Sequence, residues 1–195
     1  MFSDRRFRAA LILLLAAFIG GAALLVSWLR EPEGAGALVG GPFELTDQLG
    51  RRVTDKDFRG KLMLVYFGYV YCPDACPTAL QNMADAIDQL GPAGDDVVPI
   101  FITIDPARDT AEVLKDYAEA FHPRLRALTG TPEEISKAAR AYRVFYRKVE
   151  ETAPGEYIMD HSSIIFLMSR DGRYLTHFTH FSLPEPMAAE IKKRL

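Results

Sequence analysis

The chain has 195 residues, of which 49% are apolar and 25% are charged, so it contains enough apolar material for one sizeable hydrophobic core. Beyond residue 30 it carries 19 basic and 25 acidic residues, a net charge of −6. We expect no nucleic-acid partner, since such binding needs cations that neutralise phosphates, and a core of this size needs no disulfide to fold.

Residues 9–29 form a run without charge, as long as the roughly 20 residues that a membrane-spanning helix needs. Arginines precede the run, and Trp28 and Arg30 close it, as at a membrane interface. We therefore expect residues 1–30 to be an uncleaved membrane anchor with a short basic end in the cytoplasm, and the alternative is a cleaved signal peptide. The predicted location is the inner membrane of a bacterium with the domain facing the periplasm. The alternative is the mitochondrial inner membrane facing the intermembrane space.

Residues 31–41 are rich in Gly, Ala and Pro and predict a flexible tether to a single domain, residues 42–195. The continuous apolar runs 62–67 and 97–104 are typical of strands that are covered on both faces. Alternating strands and helices followed by hairpins indicate an α/β fold, in which helices flank a mixed sheet. Helices are predicted at 78–90, 110–121, 131–143 and 185–195, a short strand at 125–129, and hairpin turns at 48–50, 152–155 and 170–173.

The only two cysteines of the chain, Cys72 and Cys76, follow the first buried strand. Pro77 suits a first helical position, which predicts Cys76 at or near the N-cap, where N–H groups and the helix dipole favour a thiolate. The pair could be a structural disulfide, a thiol–disulfide exchange pair or a metal clamp. A structural disulfide is disfavoured because so short a loop constrains the unfolded chain little.

Two thiolates alone make an incomplete metal site, and copper takes both thiolate and imidazole ligands. His161 opens the predicted strand around residues 164–168, and Asp160 could orient its ring. Spacing alone favours an ordinary edge histidine over a ligand. The sequence DPARD at 105–109 follows the second buried strand, so it should share one edge of the sheet with the cysteines.

Three segments together carry a resemblance to the Sco/SenC family. They are YFGYVYCPDACPTAL, FITIDPARDT and YIMDHSSIIFLMSRDGRYLTHF. Members of that family are membrane-anchored, thioredoxin-like copper proteins of cytochrome c oxidase assembly. The resemblance runs from about residue 40 to the end of the chain. It implies a thioredoxin-like fold that binds copper, as Cu(I), Cu(II) or both, through Cys72, Cys76 and His161.

The resemblance also concerns residues around the cysteines. Asp105, Arg108 and Asp109 match the family's DPxRD segment and would shape the edge near the site or help to dock a partner. The alternative is a turn at the start of a helix, with Asp109 as a cap and Arg108 paired with an acid. Asp74 could supply an oxygen ligand, but a loop role is favoured. Met159 offers a thioether near His161, but methionine on a strand usually belongs to the core.

The function that the resemblance implies is that of a copper chaperone. The chain would receive copper from an unidentified donor and deliver it to the dinuclear copper centre of cytochrome c oxidase subunit II. The alternative is an enzyme, a thiol–disulfide reductase in which Cys72 and Cys76 keep the oxidase cysteines reduced. Exchange needs the two sulfurs and does not obviously need His161, so this histidine distinguishes the two functions.

Overall fold

The structure is a computed structural model, and it describes residues 14, 18, 20, 21, 39–150 and 157–195. The predicted anchor at 1–30 and the predicted tether at 31–41 lie largely outside these residues, as does the hairpin turn at 152–155. Across the described part of the chain, no helix is long and apolar enough to cross a membrane. The chain divides into two compact units, Met1–Gly36 and Ala37–Leu195, and the second contains the elements described below.

A seven-stranded mixed sheet forms the centre of this second unit, in the order β2-β1-β5-β4-β3-β8-β9. Strands β3, β4 and β5 are parallel to one another, and the remaining pairs in the sheet are antiparallel. Strands β6 and β7 form a separate two-stranded ribbon. The strands are β1 (Glu44–Asp47), β2 (Arg52–Thr54), β3 (Leu62–Gly68), β4 (Val97–Thr103), β5 (Arg126–Thr129), β6 (Tyr146–Glu150), β7 (Tyr157–His161), β8 (Ile164–Met168) and β9 (Tyr174–Thr179).

The structure describes four α-helices. Two of them begin directly after a threonine that caps the helix, as predicted. The side chains of Thr110 and Thr131 accept hydrogen bonds from the N–H groups of Val113 and Glu134. Short 3-10 helices occupy Asp55–Phe58 and Gly91–Asp96. The α-helices are α1 (Ala75–Gln89), α2 (Ala111–Glu119), α3 (Pro132–Ala141) and α4 (Pro184–Lys192).

Helices cover both faces of the sheet, as the sequence predicts. On one face the Phe101 ring lies 5.5 Å from the ring of Tyr117 in α2, and α4 packs against α1. On the other face the Phe67 ring lies 5.3 Å from that of Tyr142, directly after α3. Every residue of β3 is buried, which explains why this strand is apolar without alternation.

The connectivity is that of a thioredoxin-like fold, which confirms this part of the prediction. A β3-α1-β4 unit supplies the parallel pair, and a β8-β9-α4 unit supplies the antiparallel pair beside it. Because β3 and β4 are parallel, both end at the same edge of the sheet, where β8 begins. We call this the carboxyl edge, and the opposite edge, where β3, β4 and β5 begin, the amino edge.

Candidate metal centre

The two cysteines lie at the carboxyl edge, where β3 passes into α1. The helix begins at Ala75, earlier than predicted, so Cys76 is its second residue and Pro77 its third. Proline is tolerated in this first turn because the N–H that it lacks has no partner within the helix there. The N–H of Cys76, which also lacks a partner within the helix, donates a hydrogen bond to the Cys72 sulfur, 3.4 Å away. The helix start therefore stabilises negative charge on Cys72.

Cys76 is fully buried against strand β3. The Tyr66 hydroxyl donates a hydrogen bond to its sulfur over 3.8 Å. Gly68 leaves the space that the sulfur occupies, since a β-carbon at residue 68 would lie 2.7 Å from it. A glycine at the end of an apolar strand indicates such a close approach, so the sequence did contain a signal for this contact.

His161 is the last residue of β7 and completes the cluster. Its Nε2 lies 3.7 Å from the Cys76 sulfur, and its Nδ1 lies 3.2 Å from the Ser162 carbonyl oxygen. A carbonyl can only accept, so Nδ1 carries the proton and the lone pair of Nε2 faces the cysteines. The two sulfurs and a ring nitrogen lie within 4.8 Å of one another.

The two thiols differ sharply in acidity. The pKa of Cys72 lies far below that of an ordinary thiol, because Cys76 donates a hydrogen bond to the thiolate and the backbone N–H groups of Asp74 and Cys76 add to this. The pKa of Cys76 is raised by the same hydrogen bond and by burial. Cys72 is half-buried and is therefore the more reactive of the two sulfurs.

Asp160 is not placed where it could orient the His161 ring. Neighbouring residues on a strand point to opposite faces, and the Asp160 carboxylate accepts a hydrogen bond from Arg147 Nε at 3.0 Å. The Ser162 carbonyl, and not Asp160, accepts the hydrogen bond that orients the His161 ring. The predicted role of Asp160 is therefore corrected.

Asp74 and Met159 lie near the cluster without joining it in the structure. Asp74 is exposed and precedes α1, its side chain makes no capping hydrogen bond, and its backbone helps to lower the pKa of Cys72. Met159 is buried among the core residues of the domain. In the structure Asp74 is thus a loop residue and Met159 a core residue.

Arg108 connects the loop after β4 to strand β7. Its Nε donates to the Asp105 carboxylate, its Nη1 donates to the Tyr157 carbonyl at 3.1 Å, and its guanidinium lies 3.6 Å from the centre of the Tyr157 ring. The Tyr157 hydroxyl donates to Asp105 at 2.8 Å, which closes the network. Tyr157 and His161 lie on one face of β7, so this network positions the strand that carries His161.

Asp109 is a buried link within the carboxyl edge and not a helix cap, since Thr110 caps α2. Its Oδ2 accepts hydrogen bonds from the Val70 N–H at 3.1 Å and from the Thr103 hydroxyl at 2.5 Å. Burial raises the pKa of Asp109 to about 6. The carboxylate thereby ties the loop that contains Cys72 to the end of β4.

Two sulfurs and an imidazole form a donor set suited to a soft metal ion, and comparison with known proteins agrees with this chemistry. A family model described as SCO1/SenC matches residues 31–195. The chain belongs to the SCO1/SenC family. The resemblance predicted from the three motif segments is thus confirmed.

Several SCO1/SenC relatives are similar over most of the domain. The mitochondrial SCO1 homolog 1 of Arabidopsis thaliana is 45% identical over 148 residues, 75% of this chain and 44% of the relative. The human mitochondrial SCO1 homolog is 43% identical over 156 residues, 79% of this chain and 52% of the relative. The chain thus spans about half the length of these curated relatives. The structure of Bradyrhizobium japonicum ScoI with copper bound is 46% identical, with a TM-score of 0.75, and the match covers 80% of this chain and 99% of that one.

Proposed function

We propose that this chain is a copper chaperone that holds one copper ion through Cys72, Cys76 and His161. The observation that supports this most strongly is the approach of the three donor atoms to within 4.8 Å at the carboxyl edge. The copper-bound Bradyrhizobium relative, similar over most of the domain, supports the choice of metal. Thiolate and imidazole accommodate both Cu(I) and Cu(II).

The half-buried Cys72 leaves the proposed site open for ligand exchange. An acceptor thiolate can approach the copper from this side, while buried Cys76 remains bound to the ion. The acceptor in this proposal is the dinuclear copper centre of cytochrome c oxidase subunit II. Copper reaches the chain from a separate donor.

Residues 1–30 in this proposal anchor the chain in the inner membrane of a bacterium, and residues 31–41 tether the domain on the periplasmic side. Confining donor and acceptor to one membrane raises their effective concentration, which would speed the transfer of copper to a membrane-bound oxidase. The mitochondrial inner membrane remains the alternative location.

The unequal thiols favour a second candidate function, thiol–disulfide reduction of the oxidase cysteines. A half-buried thiolate at Cys72 attacks a client disulfide, and its sulfur forms a mixed disulfide while one client thiolate leaves. Cys76 then attacks the Cys72 sulfur and releases the second client thiolate. The client gains two electrons and the chain is oxidised to a Cys72–Cys76 disulfide, so continued turnover requires an external thiol reductant.

The deciding experiment adds one equivalent of Cu(II) to the reduced full-length chain in mild detergent. Absorption and electron paramagnetic resonance spectra are compared with those of His161→Ala and of the double variant Cys72→Ala/Cys76→Ala. His177→Ala is the matched control, since this exposed histidine on β9 contacts Tyr174 and not the cysteines.

A thiolate-to-copper charge-transfer band at one copper per chain should appear in the unmodified chain and in His177→Ala. It should be lost in both site variants. If copper merely oxidised the thiols, and His161→Ala behaved like the unmodified chain, the chaperone proposal would be wrong and the reductase would replace it.

A further inference from the structure

A second concave site lies at the amino edge of the sheet, opposite the cysteines. Its cavity, about 470 Å³ in volume, lies where β4 and β5 begin and is bordered by the β1–β2 hairpin and the 3-10 helix that follows it. Val98, from β4, and Phe58, from the 3-10 helix, provide apolar lining. A volume of this size accommodates a small organic molecule.

Basic side chains predominate around this cavity, although the domain as a whole is acidic. Five of the lining residues are basic and two are acidic. The basic residues are Arg51, Arg52, Arg59, Lys61 and Arg126, and the acidic residues are Asp47 and Asp57. Three of these cations already pair with carboxylates: Arg51 with Asp47, Arg52 with Glu44 and Glu134, and Arg59 with Asp55. Any site for an anion in this cavity must therefore use the remaining two cations.

The two acids of the cavity are already engaged in local hydrogen bonds. Asp47 accepts two hydrogen bonds from the Arg51 guanidinium and one each from the N–H groups of Leu49 and Arg51. Asp57 Oδ2 accepts hydrogen bonds from the Thr54 N–H and the Thr54 hydroxyl. These carboxylates therefore stabilise the hairpin and the 3-10 turn, and neither is paired with Lys61 or Arg126.

Lys61 and Arg126 are the cations available to a ligand. Lys61 donates to the Asp95 carbonyl at 2.9 Å and, among the described residues, forms no salt bridge. Arg126 is half-buried as a residue, and its guanidinium has neither a hydrogen bond nor an ion pair with any described residue. Its nitrogen atoms are accessible to solvent, so a ligand that enters the cavity can reach them.

The backbone of Arg126 is fixed, although its side chain has no partner. Gln48 donates to the Leu125 carbonyl and accepts from the Ala127 N–H, at 2.9 and 3.1 Å, on either side of Arg126. The register places Arg126 beside Ile100, on the same face of the sheet as Val98. The fold thus places beside the apolar lining a guanidinium that pairs with no carboxylate in the described part of the chain.

We propose that this cavity binds a phosphate ester, with Arg126 and Lys61 as the residues that bind the phosphate. The planar guanidinium of arginine can donate two parallel hydrogen bonds to a pair of phosphate oxygens, and lysine adds a compact positive charge. The apolar lining contacts the organic part of the ligand. The same chemistry is present in soluble phosphate esters and in the headgroups of phospholipids, and the test below separates these two sources.

The test uses acylation of Lys61, measured by mass spectrometry on the full-length chain. The soluble probe is sn-glycerol 3-phosphate, added to the chain in neutral detergent. The membrane probe is a vesicle of phosphatidylcholine with or without phosphatidylglycerol, in which the chain is reconstituted. Lys115, exposed on α2, is the internal reference for reagent reactivity.

A bound phosphate should slow the acylation of Lys61 and leave that of Lys115 unchanged. Arg126→Gln should require about tenfold more probe for the same protection, as expected for the loss of a charge-assisted hydrogen bond. Arg173→Gln is the matched control, because Arg173 lies in the β8–β9 turn at the same edge but outside the cavity. In Arg173→Gln, Lys61 should be protected at the same probe concentration as in the unmodified chain.

Protection by sn-glycerol 3-phosphate identifies a soluble ester as the ligand. Protection only in vesicles with phosphatidylglycerol identifies a lipid headgroup. The proposal is overturned if neither probe protects Lys61, or if Arg126→Gln is protected as well as the unmodified chain. If Arg126→Gln does not fold, calorimetric titration of Lys61→Gln with sn-glycerol 3-phosphate decides, since loss of this exposed lysine must also weaken binding about tenfold.

Discussion

Gly68 and Cys76 approach each other so closely that a β-carbon on Gly68 would lie 2.7 Å from the Cys76 sulfur. The same β-carbon would lie 2.9 Å from the Phe101 ring and 3.0 Å from the Tyr66 ring. All three neighbours are fully buried, so none can move without disturbing the core. The absence of a side chain at residue 68 therefore determines where one proposed copper ligand lies.

Gly68→Ala should displace the Cys76 sulfur and weaken copper binding while the domain still folds. Overpacking of this kind lowers the free energy of unfolding by about 1–3 kcal/mol. Competition with a copper chelator measures the affinity, and thermal unfolding measures the stability. Gly41→Ala is the matched control, since its nearest contact is the Ala141 β-carbon at 3.2 Å, away from the cysteines. Equal copper affinity in Gly68→Ala and Gly41→Ala would contradict the role of Gly68.

The two thiols should differ in their alkylation by iodoacetamide in the reduced, copper-free chain. Because the pKa of Cys72 is strongly lowered, its alkylation rate at pH 5 should stay close to its rate at neutral pH. An ordinary thiol loses about tenfold in rate for each pH unit below its pKa. Cys76, buried and with a raised pKa, should remain unmodified.

The control for this prediction is Cys76→Ala, which removes the hydrogen bond that contributes most to the low pKa of Cys72. Alkylation of Cys72 in this variant should fall at pH 5 relative to the unmodified chain. Mass spectrometry of the labelled peptides separates the two sites. Two thiols with equal rates and an ordinary pH dependence would show that the hydrogen bond between them is not formed.

Asp109 should make the domain less stable as the pH rises through about 6. Its pKa in the folded chain is about 6, above the value of 3.8 for an ordinary aspartate, so folding favours the protonated form. The stabilising contribution is complete below pH 3.8 and is lost as the pH passes 6, with a total of roughly 3 kcal/mol. Urea unfolding between pH 4 and pH 7 measures this slope.

Asp109→Asn should flatten that pH dependence, because the amide oxygen can still accept from Val70 and Thr103 but carries no charge. Asp116→Asn, an exposed acid on α2, should retain the slope of the unmodified chain. A slope that persists unchanged in Asp109→Asn would mean that another group is responsible for it.

Much of this arrangement follows from local sequence rules. The strand at 62–68 and the strand at 97–103 were predictable because a continuous apolar run of that length suits a strand that is buried on both faces. The capping threonines before α2 and α3 were predictable because a hydroxyl satisfies a free N–H. Parallel strands end at one edge, which is why Cys72 and Asp105 could be expected to lie near each other.

The remaining features depend on contacts between distant segments. The Asp160 side chain pairs with Arg147 across the β6–β7 ribbon, and this direction is set by a strand register that spacing does not reveal. The hydrogen bonds between Arg108 and Tyr157 and between Gln48 and Ala127 of β5 join residues far apart in sequence. His161 could be selected among the histidines only through the family resemblance, since its approach to Cys76 joins residues 85 positions apart.

Arg108→Ala should loosen β7 and weaken copper binding less than the loss of His161 does. The substitution leaves Asp105 buried without its cation, and breaking such a pair lowers the free energy of unfolding by roughly 3 kcal/mol. Arg108→Lys should not restore affinity, because lysine lacks the planar fork that reaches both Asp105 and the Tyr157 carbonyl. Faster hydrogen exchange of the β7 amides is the readout that separates this positioning role from direct ligation.

Arg147→Ala is the matched control for Arg108, since it also removes an arginine that contacts the β7 strand. The Arg147–Asp160 pair is exposed and should contribute less than about 1 kcal/mol, with little change in β7 exchange or in copper affinity. If the hydrogen exchange of the β7 amides is no faster in Arg108→Ala than in Arg147→Ala, the network around Tyr157 does not position His161. The motif arginine would then act on partners outside the chain and not on the geometry of the copper site.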